Sequence, residues 1–414
     1  MSAKANPLTV YQIRLLVVLV LINFVNFAAR QIFVPLIPLL RVHLNVSDAQ
    51  LGSLQTYLLL VLAAASVPFG FFADRFSRKT IIWIGILCWS LATFAGGLAS
   101  TFTSFLIARA FVGLGEAAYA PAAQSMISGA FPKELRAMAQ AIFATGMLLG
   151  GACGQVLGGM LGPRYGWQLS FFIVAIAGLI PSIALFHIKE PPRGPRSEVV
   201  PIARLLRIPA FVAMIAAGAC VTFASVSLLT WGVDFAVNYK DFSLREASIA
   251  LSVVTLFSLV FGVLTGGAVA DILQKRLSYG RIAAVAGAFL FAAPFLLLAI
   301  QSEEKRTVLV GLVVSGFFMS WYHGPVTAAL HDMMPRRAHA TSIGVYLLVT
   351  QLVGGFGPQI IGKISDVRDL QLGLQIAVAV MVCGALLMLL VIHFIRRDGL
   401  RHPSLEMFHA ESAD

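Results

Sequence analysis

Long apolar runs follow one another along this chain, and only short polar stretches separate them. Lipid offers no hydrogen-bonding partner to backbone N–H and C=O groups, so a segment that crosses a bilayer satisfies them within a helix or a closed barrel. Runs of about 20 apolar residues have the length of a membrane-spanning helix. The sequence therefore predicts an all-α membrane protein.

The composition supports a polytopic membrane protein. Only 12% of the residues are charged and 58% are hydrophobic, whereas a soluble domain carries about 25% charged residues. The four cysteines stand singly in apolar stretches without metal-ligand spacing, and we interpret them as small hydrophobic residues. We expect neither a cofactor nor a metal site.

Twelve membrane-spanning helices fit a chain of 414 residues. In the first half they are predicted over 13–37, 47–70, 81–99, 105–130, 138–161 and 169–187. The first is expected to bend or end at Pro35 and Pro38. In the second half they begin near Ala210, Ala247, Ile282, Val308, Thr341 and Gly373.

A polar connector divides the chain in two. Residues 189–207 hold four prolines and five lysines or arginines. We therefore predict a six-helix bundle over 1–188, a cytoplasmic connector over 189–207, a second six-helix bundle over 208–400 and a cytoplasmic tail over 401–414. Counting basic residues in the loops places both termini in the cytoplasm.

The predicted helix 105–130 carries two opposite charges, Arg109 and Glu116. Seven residues are close to two turns, so both side chains share one face, about 10 Å apart along the axis. Charges in a bilayer core normally face the protein interior or a wet cavity. The pair is either structural or lines a solute pathway, and Gly113 and Gly115 between them admit a neighbouring helix or a ligand.

An internal repeat relates the two halves. The segment from Gly70 to Asp74 ends the second predicted helix, and Gly267 to Asp271 ends its counterpart 197 residues later. Basic residues follow both copies. Pro132 before the fifth helix is echoed by Pro335 before the eleventh. Repetition at the same place in both halves indicates a duplicated transporter architecture of two bundles with like orientation.

The segment from Gly70 to Lys79 resembles the signature loop of the major facilitator superfamily, and Arg109-x-x-x-Gly113-x-Gly115 resembles its helix 4 motif. The resemblance covers nearly the whole chain and implies two six-helix bundles that work by alternating access. It also implies a conformational latch at the loops, although basic residues there equally serve as cytoplasmic anchors. The predicted latch residues are Gly70, Asp74, Arg75, Arg78, Lys79 and Asp271.

Finer motifs are similar to those of the spinster lipid transporters. They are the segment from Gly113 to Tyr119 and Asn26-Phe27-x-x-Arg30, which resembles that family's Asn-Tyr-x-Asp-Arg. The resemblance implies transport of a lysophospholipid or a sphingosine-1-phosphate-like lipid, coupled to protons. Arg30, helped by Asn26 and Arg109, would meet the anionic head group or an acid, and Glu116 would take part in proton coupling.

One departure from the spinster pattern concerns the first helix. The family's acid falls at Ala29 here, and alanine cannot be protonated. Either this member differs, or the residue replaces a native acid. Glu116 is then the one obvious intramembrane carboxylate of the first half.

Two further candidates have structural alternatives. Tyr119 lies three residues from Glu116 and either hydrogen-bonds it or packs. His323 precedes Gly324 and Pro325 in the tenth helix, where it either titrates or is a buried structural histidine.

Other function classes fit less well. A polar organic anion or drug carrier of the same superfamily is the alternative, because cavity charge does not fix the solute. No nucleophile–base pair or metal cluster supports an enzyme, and no basic groove with aromatic platforms supports nucleic-acid binding. We expect a monomer in the bacterial inner membrane. Its expected partners are a lipid-like substrate, protons and the bilayer.

Overall fold

The computed structural model describes residues 9–191, 201–335 and 338–398. Within these ranges every regular element is helical. The helices before the connector are α1 (Val10–Gln31), α2 (Phe33–Leu44), α3 (Asp48–Arg75), α4 (Arg78–Gly97), α5 (Phe102–Ala130), α6 (Lys133–Tyr165) and α7 (Trp167–Phe186).

The helices after the connector contain two irregular segments. A π-helical stretch, Ser258–Gly262, and a 3₁₀ stretch, Ser320–Tyr322, interrupt two of the long helices. The α-helices are α8 (Ile202–Leu205), α9 (Pro209–Tyr239), α10 (Leu244–Phe257), α11 (Val263–Arg276), α12 (Gly280–Gln301), α13 (Lys305–Met319), α14 (His323–Met333), α15 (His339–Gly354), α16 (Gly357–Val367) and α17 (Leu370–Asp398).

Eleven helical stretches among the described residues are long and apolar enough to cross a membrane. Each matches a predicted span. The remaining prediction is α5, whose 29 residues are long enough to cross but include Arg109 and Glu116. The all-α membrane architecture predicted from sequence is confirmed.

The first span differs from its prediction. It breaks only at Ile32 and continues through α2 to Leu44, because Pro35 lies in the first turn of α2, where a backbone N–H has no helical partner to lose. Pro38 lies inside α2 without ending it. The span ends instead at Asn45, which adopts a left-handed conformation with φ of 49°.

The described chain forms two compact units. Unit 1 contains α1, α2, the part of α3 from Tyr57 onward and α4 to α7. Unit 2 contains residues 47–56 and the helices from α8 to α17. The predicted bundle boundaries at 188 and 208 stay predictions, and residues 192–200 and the tail lie outside the described ranges.

Close glycine contacts hold α6 against α1 in unit 1. A Cβ atom on Gly150 would lie 2.0 Å from the Phe24 carbonyl oxygen, and one on Gly154 would lie 2.4 Å from that of Ala28. Glycine therefore lets the two backbones touch. The glycine-rich face of α6 is the surface that meets α1.

Replacing Gly150 with alanine should destabilise unit 1. The added Cβ meets backbone, which cannot move aside as a flexible side chain can, so we expect a loss of about 1–3 kcal/mol. Gly151→Ala is the matched control, because its Cβ would lie 3.5 Å from a Gln31 side-chain carbon. Thermal unfolding of both purified variants measures the difference, and equal midpoints would contradict the packing.

Candidate functional site

An ion pair joins α1 to α5 inside unit 1. The Nη1 atom of Arg30 lies 3.6 Å from Oε2 of Glu116. The Glu116 side chain is 3% exposed, whereas the Arg30 side chain is 18% exposed. Arg30 is therefore the member of the pair that other molecules can reach.

Arg109 lies in the same charged cluster but contacts an aromatic ring. Its guanidinium carbon stands 4.6 Å from the centre of the Phe33 ring, and the residue is 2% exposed. Phe33 in turn packs beside Phe105, with ring centres 6.3 Å apart. The cation–π contact offsets part of the cost of burying the charge. The predicted cluster of Arg30, Arg109 and Glu116 is thus built from two helices with aromatic support.

Two buried polar atoms near this pair have no hydrogen-bond partner within the described part of the chain. They are Nδ2 of Asn26, which lies one turn before Arg30 in α1, and Oε1 of Glu116. Buried polar atoms are normally satisfied, and exceptions call for an explanation such as a functional role. Each can take a further partner, one as a donor and the other as an acceptor.

Tyr119 does not hydrogen-bond Glu116, which was one of the two predictions for this residue. Its hydroxyl donates to the backbone carbonyl of Leu19 at 3.0 Å. Its ring meets Trp89 edge-on, with centres 5.6 Å apart. The packing alternative is the observed one, because the hydroxyl is bonded to the backbone of α1 and the ring packs on α4.

The small residues around Glu116 bring helices together. A Cβ on Gly113 would lie 2.4 Å from the Leu58 carbonyl oxygen in α3, and one on Gly115 would lie 2.7 Å from that of Gly85 in α4. Of the two predicted uses of these glycines, helix approach is observed. Ala29 is also buried, at 1% exposed.

Arg78 in the signature loop forms a dense set of contacts in unit 1. Its side chain is 1% exposed and its Nε donates to Oε1 of Glu190 at 3.0 Å. Its Nη1 donates to the backbone oxygen of Ser125 at 3.2 Å and to the hydroxyl of Ser125 at 3.1 Å. The hydroxyl of Ser77 donates to Oε2 of Glu190 at 2.7 Å. These contacts fix the start of the connector to the loop and to α5.

The other predicted latch residues behave differently from Arg78. The Lys79 ammonium donates to the Phe186 carbonyl oxygen, and Arg75 stacks on Phe71 with 3.7 Å from its guanidinium carbon to the ring centre. Asp271 accepts from Arg281 at 2.9 Å. A Cβ on Gly70 would meet open space. The side chains of Asp74 and His323 lie outside the described set.

Sequence reasoning missed Glu190, the Asp234–Asn238 pair and the Tyr322–Tyr346 pair. Glu190 carries no signal beyond its place before two prolines. Asp234 in α9 is fully buried and accepts from the Asn238 side chain at 2.9 Å. In unit 2 the hydroxyls of Tyr322 and Tyr346 hydrogen-bond each other. The i, i+4 spacing of Asp234 and Asn238 in an apolar run was the readable signal.

Comparison with known proteins identifies the class of protein to which this chain belongs. The Major Facilitator Superfamily model matches residues 19–358 and 243–408. The chain belongs to this superfamily, and it is therefore a multi-pass membrane protein of the secondary transporter class. Proteins of this family are not enzymes in general.

The chain is further similar to spinster proteins. It is 26% identical to Protein spinster homolog 1 of Xenopus laevis, over 93% of this chain and 81% of that protein. It is 23% identical to the cis,cis-muconate transport protein of Acinetobacter baylyi, over 84% and 86%. Its fold matches the inward-facing, unoccupied crystal structure of a bacterial homologue of the human lysosomal transporter spinster, with a TM-score of 0.85, 23% identity and coverage of 96% and 99%.

Removing Arg30 should destabilise the protein by leaving Glu116 buried without its ion-pair partner. We expect Arg30→Met to cost about 3 kcal/mol at pH 7, because a buried charge that loses its partner keeps its desolvation cost. The double variant Arg30→Met/Glu116→Gln should recover most of the loss. Unfolding of the purified proteins in detergent measures both, and additive losses would refute the coupling.

The contacts of Glu190 predict acid sensitivity. Burial raises the pKa of this carboxyl, but hydrogen bonds from Ser77 and Arg78 and the charge of Arg78 outweigh burial and hold the pKa below its ordinary value. Such a carboxylate stabilises the folded protein above its unfolded pKa, and the stabilisation is lost as the pH falls through its folded pKa. We expect Glu190→Gln to lower the unfolding temperature at pH 7 and to flatten its decline below about pH 4.3.

Proposed function

We propose that this transporter moves an amphipathic anionic lipid, such as a lysophospholipid or a sphingosine-1-phosphate-like molecule, and couples the movement to protons. The observation that carries the proposal is the Arg30–Glu116 ion pair, in which the cation is 18% exposed and the acid 3% exposed. The motifs that resemble those of the spinster lipid transporters imply this substrate class, and the similarity to Protein spinster homolog 1 supports that family resemblance.

The arginines fit a phosphate or carboxylate head group. A guanidinium presents a planar fork of donors that binds such anions with two parallel hydrogen bonds. Arg30 can turn this fork from Glu116 to a substrate. Arg109 adds a second positive charge, and its guanidinium stacks on the ring of Phe33, which packs beside Phe105. Cation and apolar surface together suit a molecule with an anionic head and an acyl tail.

Proton coupling follows from the competition for Arg30. Glu116 and a substrate anion both need the same cation. When Glu116 takes a proton it no longer requires Arg30, and the arginine becomes available to the substrate. The substrate and the proton then favour each other's binding, which is the reciprocal coupling that a symporter requires.

A polar organic anion is the second candidate substrate. The similarity to a protein named for cis,cis-muconate transport favours it, because the chain covers 86% of that relative. Arg30 would bind its carboxylate in the same way. The two candidates differ in the need for an acyl tail, so competition between a lysophospholipid and a short dicarboxylate separates them.

The setting proposed for this activity is a monomer in the bacterial inner membrane with both termini in the cytoplasm. That orientation places about 20 of the 30 lysines and arginines in cytoplasmic loops, as the positive-inside rule favours. The basic residues would there meet anionic lipid.

The test is flux of lysophospholipid and of sphingosine-1-phosphate in proteoliposomes, with and without a pH gradient. We expect gradient-driven flux that Glu116→Gln makes independent of pH and that Arg30→Met reduces at least about tenfold, which corresponds to about 1.4 kcal/mol. Ala29→Asp tests whether an acid at this position adds to coupling. Unchanged pH dependence in Glu116→Gln would refute the proton role, and muconate flux without lipid flux would favour the second candidate.

A further inference from the structure

An open groove lies along the end of α17 in unit 2. Its volume is about 480 Å³. The lining residues recur at intervals of three and four, so they share one face of the helix. They are Leu389, Ile392, His393, Arg396 and Arg397. The groove is therefore apolar at one end and basic at the other.

The apolar and basic ends of the groove lie at different depths in a membrane. The run from Ile376 to Ile395 contains no Asp, Glu, Lys or Arg, and its length of about 20 residues matches the hydrocarbon core of a bilayer. Arg396 and Arg397 follow directly, about 10 Å beyond Leu389 along the helix axis. The apolar end is thus at the depth of acyl chains, and the basic end is at the depth of lipid head groups.

The two arginines of the groove are exposed, and neither forms an ion pair within the described residues. Arg396 instead stands over the ring of Tyr279, with 5.7 Å from its guanidinium carbon to the ring centre. Arg281 in the same unit is by contrast bound by two carboxylates, those of Asp271 and Asp332. Adjacent guanidinium groups without a counter-ion repel each other, and a bound anion removes that repulsion.

Tyr279 belongs to a short loop between α11 and α12. The loop is held by the Gln274 side chain, which donates to the Ser278 carbonyl oxygen at 3.0 Å. Two more exposed basic residues, Lys275 and Arg276, end α11 just before this loop. The loop therefore adds positive charge at the same end of unit 2 as the groove.

We propose that this groove binds an anionic diacyl phospholipid of the bilayer, with its phosphate at Arg396 and Arg397 and an acyl chain along Leu389 and Ile392. The planar fork of a guanidinium binds phosphate through two parallel hydrogen bonds. Basic pockets at the ends of membrane helices are sites for anionic head groups. The lipid is a bound constituent of the protein and not the transported molecule, so the inference does not depend on the proposed substrate.

The groove fits a phospholipid better than it fits a soluble phosphate. Leu386, Leu389 and Leu390 are exposed on α17 before the basic end, and they offer apolar surface to an acyl chain. A soluble anion would use the basic end alone. A zwitterionic lipid would bring a second positive charge to the arginines, whereas an anionic lipid brings none. The observed combination of charge and apolar surface thus favours an anionic phospholipid.

The test measures lipid preference at the groove by fluorescence quenching. Leu386→Trp places a reporter about one turn before Leu389 on the same helix face. The full-length protein is reconstituted in phosphatidylcholine vesicles that contain either brominated phosphatidylglycerol or brominated phosphatidylcholine, because bromine quenches a tryptophan that it contacts. The protein without the reporter gives the background of the five native tryptophans, which is subtracted.

We expect phosphatidylglycerol to bind beside the reporter at least about fivefold more tightly than phosphatidylcholine, because a basic residue near anionic lipid contributes about this factor in affinity. Arg396→Ala/Arg397→Ala should abolish the preference. Arg396→Lys/Arg397→Lys should retain most of it, because the positive charge remains. Added salt should weaken the preference by screening.

Arg14→Ala/Lys189→Ala is the matched control, since it removes the same charge from two exposed residues of unit 1. These residues lie at one end of that unit, where the Tyr11 hydroxyl donates to the Lys189 carbonyl oxygen at 2.7 Å. A general attraction between a basic protein and anionic lipid would fall equally in both double alanine variants. Binding at the groove predicts that the control keeps the preference seen by the reporter.

Four results would overturn the site. They are equal quenching by both lipids in the intact protein, an unchanged preference in Arg396→Ala/Arg397→Ala, an equal loss in the matched control, and an equal loss in Arg30→Met, which would assign the lipid to the transport site. An unfolding midpoint identifies any variant that has lost its fold. The quenching is measured without flux, so a failure of this lipid site and a failure of the proposed transport are distinguishable.

Discussion

Arg30 and Glu116 lie on different helices, and neither charge would be stable inside unit 1 without compensation from an opposite charge. Their pairing requires α1 and α5 to keep a fixed separation and rotation. The glycines of α6 hold α1 by direct backbone contact, and Gly113 and Gly115 bring α5 against α3 and α4. The charged site therefore depends on glycine contacts that lie outside it.

Apolar run length and the internal repeat were sufficient to predict the helices, because lipid leaves the backbone almost no alternative to them. The partners of the charged and polar side chains were harder to predict. The sequence placed Arg109 and Glu116 on one face, but the ion pair in the structure joins Glu116 to Arg30 on another helix. The Tyr119 hydroxyl likewise donates a hydrogen bond to the Leu19 carbonyl oxygen rather than to Glu116. Helix rotation decides such pairings, and it is set by packing between helices that are distant in the chain.

The signature loop illustrates the same limit. Its basic residues are evident in the sequence, yet the acid that binds Arg78 comes from the connector, 112 residues away. Arg78 also contacts Ser125, which lies nine residues after Glu116 on the same helix α5. The loop, the connector and the helix that carries Glu116 are thus fixed to one another within unit 1. A motif alone shows which charge must be paired but not which segment supplies the partner.

The alanine at position 29 makes Glu116 more important to the proposed proton coupling. Among the described residues of unit 1, Glu116 is the buried carboxylate, since Glu190 keeps a quarter of its side chain exposed at the end of the bundle. Glu116 is therefore the acid that we propose takes up the proton. That acid shares its cation with any anion that reaches Arg30. We propose that one arginine between two competing anions is sufficient for coupling, because protonating Glu116 would free Arg30 for the substrate.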